Sequence, residues 1–191
     1  MGTRGSYGFV ANNVLKMTYN HWDSYPGGLG KDIAEQLTTL LKDGMDQQKL
    51  IAAGAAVRVV DPDSKPTHLD IAALKEHANV NVGNQTMEDW YCLLRETQGQ
   101  LDTLLTKTKV LIDGIAFPTD SLFCEWAYVA DFDNMKLEVY RGFQKKAHKS
   151  GRFWSEQADG GYYPVKLIRT FKINKQLLTK FTEWMAKVND E

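Results

Sequence analysis

The chain has 191 residues and a mass of 21.6 kDa, the size of one ordinary domain. It is 43% hydrophobic and 25% charged, enough to bury a core, which excludes a disordered or fibrous chain. Its 23 lysines and arginines stand against 24 acidic residues for a formal net charge of -1, so the basic excess of a nucleic-acid coat is missing.

The apolar runs fall far short of the roughly 20 residues that span a bilayer, and the opening residues lack the apolar stretch of a secretory signal. Two cysteines, Cys92 and Cys124, are too few for a disulfide scaffold or a four-cysteine zinc site. The expectation is a cytoplasmic protein with no membrane association, no metal and no resident cofactor.

The N-terminus reads as a β-hairpin. One strand runs from about Thr3 to Val10, Asn12-Asn13 suits a tight turn, and the return strand covers Val14 to Trp22. The segment 23–32, with one proline and three glycines, ends that strand. A helix follows, with Ile33, Leu37, Leu40 and Leu41 as its apolar stripe, and stops near Asp43-Gly44.

A short helix is expected over Asp46 to Ala53 and a short extended segment over Val57 to Val60. Turn chemistry occupies residues 61–66, after which Thr67 caps a helix bearing Leu69, Ala72 and Leu74. A longer helix is predicted from Thr86, paired with Asp89 in a capping-box pattern, with Trp90, Leu94, Leu101, Leu104 and Leu105 along one side.

From Leu122 the period changes to two. Cys124, Trp126, Tyr128, Ala130 and Phe132 share one face, Asp133-Asn134 turns the chain, and Lys136 to Phe143 returns. A basic connection leads to a further strand in YYPVKLIRTFKI, and a last helix puts Leu177, Phe181, Trp184 and Val188 on one side. The prediction is a single α+β domain over residues 1–191. Its sheet is mostly antiparallel, an N-terminal hairpin plus a C-terminal three-stranded meander, with a helical middle section at about 31–107.

The densest chemistry lies between Asn20 and Gly30. Amide, imidazole, carboxylate, hydroxyl and phenol groups crowd a strand end and a helix start, where backbone N–H groups and the helix dipole favour an anion. On a regular strand His21 and Asp23 point the same way, as a general acid/base pair would. Arg4 on the partner strand would grip the anion, with Asn20, Ser24, Tyr25, Gly28, Gly30 and Glu125 lining the site. The same residues have structural uses: His21 at the core edge, Asp23 and Ser24 in a turn, the glycines in a bend. Neither a P-loop nor a dinucleotide fingerprint fits, since Tyr25 and Asp32 break the first and Ile33 the second.

Asp131 and Asp133 mimic the start of a calcium loop, but Met135 stands where a third oxygen ligand belongs. Lys145, Lys146 and Trp154 form the alternative surface, one that would touch a protein partner. Nucleic acid is disfavoured by the balanced charge, and a homodimer through an exposed strand edge is open.

The opening Met1-x-Thr3-Arg4-Gly5, the segment Tyr19-Asn20-His21-Trp22-Asp23-Ser24-Tyr25-Pro26-x-Gly28-Leu29-Gly30 and the hairpin Cys124-Glu125-Trp126-Ala127-Tyr128-Val129 resemble a family of small phage and prophage proteins. The resemblance implies a viral or mobile-element setting, with the host cytoplasm as location. In such a setting small proteins often modulate a host enzyme or defence system. The polar turn itself favours binding of a small anionic ligand such as a nucleotide, and the alternative is inhibition of a host protein as an anti-defence factor. The resemblance supplies no reaction.

Overall fold

A computed structural model describes residues 2–156 and 161–188, except for the side chain of Val188, so that part of the predicted last stripe lies outside the described residues. Strands β1 (Gly5–Ala11) and β2 (Val14–Asn20) form the N-terminal hairpin. Asn12 and Asn13 both take positive φ, 53° and 61°, as the two-residue turn requires. The Asp133 carboxylate fixes that turn by accepting from the Asn12 and Asn13 amides at 3.0 and 2.7 Å. Asp133 is therefore used inside the fold.

Helices α1 (Lys31–Lys42) and α2 (Gln47–Ala56) follow, the first ending near Gly44 at φ 91° and the second capped by Asp46. Then come β3 (Arg58–Val60) and α3 (His68–Leu74), where Thr67 and Asp70 make a reciprocal capping box.

The long helix predicted from Thr86 is instead broken into α4 (Trp90–Leu93), a 3-10 turn over Arg95–Thr97 and α5 (Leu101–Thr103). Asp89, not Thr86, caps α4 by accepting from the Tyr91 amide at 2.9 Å. Gly99 at φ 79° then turns the chain, a backbone state that a helix interior does not contain. Strand β4 (Val110–Ile112) pairs in parallel with β3 as a separate two-stranded sheet, so the middle section is not purely helical.

Strands β5 (Trp126–Asp131), β6 (Lys136–Arg141) and β7 (Lys166–Lys172) form the C-terminal meander, and α6 (Leu177–Val188) closes the described chain. The main sheet has the order β2-β1-β5-β6-β7. Every pairing is antiparallel except β1 with β5, which joins hairpin to meander.

One face of this sheet packs Phe9, Tyr128, Phe132, Val139 and Phe171 against Ile33 and Leu37 of α1 and Phe181 of α6. The other face, with Val10, Met17, Val129 and Tyr140, is covered by irregular chain carrying Cys124, Phe153 and Val165. Cys124 precedes β5 and joins this second face, opposite to Trp126 and Tyr128. No helix of the described residues is long and apolar enough to cross a membrane.

Candidate functional site

The turn from Asn20 to Gly30 spends most of its polar groups on itself. Asn20 Nδ2 donates to Ser24 Oγ at 2.9 Å and to the Trp22 carbonyl at 2.5 Å. The Ser24 amide donates to the Thr3 carbonyl, and Tyr128 Oη donates to the Ser24 carbonyl at 2.9 Å. Asn20 and Ser24 are both buried, so they hold the turn to the sheet and offer little to a ligand.

The start of α1 differs from the anion cradle expected of it. The amides of Gly28, Leu29 and Gly30 donate to the carbonyls of Tyr25, Asp23 and Tyr25. Asp32, in the first turn, already supplies negative charge. A Cβ on Gly28 would lie 2.2 Å from the Asp23 carbonyl oxygen, and one on Gly30 would lie 2.7 Å from Tyr128 Cε1. Both glycines are therefore demanded by close packing of the protein on itself.

His21 and Asp23 do not share a strand face. Strand β2 ends at Asn20, and Asp23 sits at φ 50° with its side chain exposed and in no hydrogen bond among the described residues. The imidazole instead pairs through Nδ1 with Tyr19 Oη at 2.8 Å. Its backbone amide donates to Gln98 Oε1 at 3.3 Å, and the same oxygen accepts from the Arg95 guanidinium.

The corner containing Gln98 reaches His21 because Gly99 turns beside Asn20 and Leu29. Gln36 of α1 braces it, donating to the Gly99 carbonyl at 3.0 Å and accepting from the Asp102 amide at 3.2 Å.

Arg4 arrives from the other side. The pairing of Gly5 with Asn20 and with Trp126, continued by one residue, sets Arg4 beside His21 and Glu125 on one face of the sheet. Its guanidinium lies 4.9 Å from the Phe123 ring, and its amide donates to Glu125 Oε1 at 3.4 Å.

Burial lowers the pKa of His21, and the charges of Arg95 and Arg4 push it further the same way. Burial raises that of Tyr19, as does Tyr91, while the two arginines oppose the rise. Neither arginine forms an ion pair among the described residues. Arg95 lies 5.4 Å from the Tyr91 ring.

Behind this group is a narrow cavity of about 60 Å³, lined by Tyr7, Tyr19, Tyr91, Leu94 and Gln98 among others. A separate recess of about 480 Å³ lies on the helix side of the sheet end, where Tyr25 and Glu125 join Thr3, Trp126, Arg141 and Met185.

The structure thus sets Arg4 between His21 and Glu125, and Glu125 also lines the second recess together with Tyr25. Tyr19, Tyr91, Arg95 and Gln98 were not predicted as site residues. Tyr19 stood in a conspicuous segment, but the other three lie more than 65 residues beyond it and carry no local signal. Lys145 and Lys146 are exposed on the connection after β6, and Trp154 is exposed farther along it. That connection is anchored, since His148 pairs with the Pro164 carbonyl at 2.8 Å and Ser150 with that of Leu167 at 2.9 Å.

No family model, curated protein or solved structure matches the chain.

Proposed function

We propose that the protein binds a small anionic ligand, a phosphate or carboxylate group, between His21, Arg4 and Arg95. The observation that carries this reading is electrostatic. Two guanidinium groups act on one imidazole, and neither has a carboxylate partner among the described residues. Burial and this positive field disfavour the protonated ring in the empty site, and an anion bound there would offset the field and favour protonation. Arginine supplies forked donors, Tyr19 Oη and the protonated imidazole supply further ones, and Tyr91 lies against Arg95.

The cavity beside the cluster is too small for a nucleoside, since pockets that enclose drug-sized ligands run to roughly 300–1,000 Å³. A nucleotide would place its phosphate here and its base outside. Binding without turnover is the simpler reading, because among the described residues no carboxylate bonds His21 to orient it as a general base. In the phage-type setting that the sequence resembles, such a site would sense or sequester a small host metabolite.

Thermal unfolding with inorganic phosphate, pyrophosphate, malonate and adenosine monophosphate tests this. A ligand specific to the folded state at 100 times its Kd adds about 2.7 kcal/mol of stability. At least one anion should raise the melting temperature of the wild type and fail to do so in Arg95→Gln and Arg4→Gln. A rise that persists in the double variant, or no rise with any anion, overturns the proposal.

A further inference from the structure

Although the chain is nearly neutral, its cations are unevenly placed. Between β7 and α6 runs a groove of about 490 Å³ lined by Arg169, Lys172, Lys180 and Lys187, with Glu183 its one carboxylate among the described residues. Glu183 is already engaged by Lys180 Nζ at 2.9 Å. Trp184 floors the groove, its ring 5.6 Å from that of Phe171 and 5.4 Å from that of Phe181.

The same groove borders an open sheet edge. β7 is the last strand in the order. Ser150 covers it at Leu167, whose carbonyl accepts from Ser150 Oγ at 2.9 Å and whose amide donates to the Ser150 carbonyl at 3.5 Å, so the open part of the edge begins after Leu167. The inward and outward groups of β7 follow from one bond. The Ile173 amide donates to the Met135 carbonyl, so Ile173, Phe171 and Arg169 direct their backbone groups toward β6. Thr170 and Lys172 therefore direct theirs outward, and among the described residues no backbone bond outside the β6 ladder involves them.

A row of unpaired backbone donors and acceptors accepts a strand. The charges say which strand. Pairing β7 with a second copy of itself would set lysines and arginines against each other, which is unfavourable, so the edge does not serve homodimerisation. We propose that β7 captures an extended acidic peptide segment of a partner protein as a sixth strand, with carboxylates facing Arg169 and Lys187 on the helix side of the sheet and Lys172 on the other side. This is independent of the anion site at the other edge of the sheet.

The test uses a labelled extended peptide of repeated Glu-Glu-Thr, which presents carboxylates on both faces, with a lysine-for-glutamate peptide and a labelled oligouridylate as comparisons. Fluorescence anisotropy should show binding of the acidic peptide that weakens with salt. Affinity should fall about tenfold in Lys172→Glu and in Lys187→Glu, the second of which leaves the strand untouched. Thr170→Pro, which deletes one outward donor at a position where an edge tolerates proline, should weaken binding comparably. Amide exchange at Thr170 and Lys172 should slow when peptide is bound. Melting curves confirm that each variant is folded. Tighter binding of oligouridylate, unchanged affinity in both charge reversals, or unprotected amides at Thr170 and Lys172 would each overturn the proposal.

Discussion

Arg152 and Glu138 form a two-pronged ion pair, with Nε donating to Oε2 at 2.7 Å and Nη2 to Oε1 at 2.9 Å. Arg152 also bonds Asp131, and Tyr140 Oη donates to Glu138 Oε2 at 2.7 Å. The two carboxylates stand on neighbouring strands, β5 and β6, and the arginine comes from the irregular connection that precedes β7. This cluster explains how chain without regular structure covers one whole sheet face, because it fixes the segment that inserts Phe153 beside Tyr140, ring centroids 5.2 Å apart.

Replacing Arg152 with methionine should therefore lower stability by about 3 kcal/mol, since it strands two buried carboxylates. Burial raises the Asp131 pKa, but hydrogen bonds from Asn134 and the charge of Arg152 outweigh it, and the net shift is downward. A depressed carboxylate contributes stability above its unfolded value, about 3.9, and loses it as pH falls through the folded value. The gap between wild type and Arg152→Met in urea unfolding should thus narrow below about pH 4. A gap that stays constant on acidification would show that Asp131 does not carry it.

Lys16 joins the sheet to a helix end. Its ammonium donates to the carbonyls of Gly54, Ala55 and Val57 at 2.9, 3.2 and 2.6 Å, at the C-terminus of α2, where the helix dipole favours a cation. Lys16→Met should cost about 1–2 kcal/mol in chemical denaturation, from the lost charge-assisted bonds and the uncapped carbonyls. Lys16→Arg should recover part of it. Equal stability of Lys16→Met and wild type would mean that water replaces the lysine at no cost.

Gly30 separates packing from ligand approach. A methyl there would lie 2.7 Å from Tyr128 Cε1 and 2.9 Å from Phe181 Cζ, two groups held rigidly in the core. Gly30→Ala should destabilise by about 1–3 kcal/mol, with anion affinity per folded molecule unchanged. A variant of normal stability that has lost anion binding would return Gly30 to the ligand.

Much of this fold was legible from local pattern. Period-two alternation around Tyr128, the Asn12-Asn13 turn and the Thr67 cap each depend on near neighbours, and each appears where the sequence places it. The helix expected after Thr86 failed because its apolar spacing ignored Gly99, whose turn serves contacts with Asn20 and Leu29 far away in sequence. The site divides in the same way. His21 and Arg4 were visible because strand pairing is regular, whereas Arg95 and Gln98 reach His21 only through that tertiary turn. Conversely, Asn20, Ser24 and the glycines looked like ligand contacts because a polar turn that binds its own backbone has the same composition as one that binds an anion.

The protonation of His21 gives the most direct reading of the anion site. Nδ1 pairs with Tyr19 Oη, and in the protonated ring Nδ1 is the donor of that bond. Burial lowers the His21 pKa, and Arg95 and Arg4 lower it further, so the free protein favours the neutral imidazole. The sign follows. The unfolded chain binds the proton near pH 6.5 and the folded one only at lower pH, so this group's contribution to stability is complete above about pH 6.5 and lost as pH falls toward the folded value. His21→Gln should flatten that part of the melting profile. Nuclear magnetic resonance titration of the His21 ring should give a midpoint below 6.5 in the free protein, moving upward in Arg95→Gln, which removes one repelling charge. Saturating phosphate should also move it upward, because the bound anion offsets both arginines. Affinity for an anion that keeps its charge across this range, such as sulfate, then rises as pH drops from about 7.5 to 6, the proton being taken up by His21 on binding. A midpoint indifferent to both Arg95→Gln and phosphate would mean that the arginines do not act on this imidazole, and the anion site would lose its physical basis.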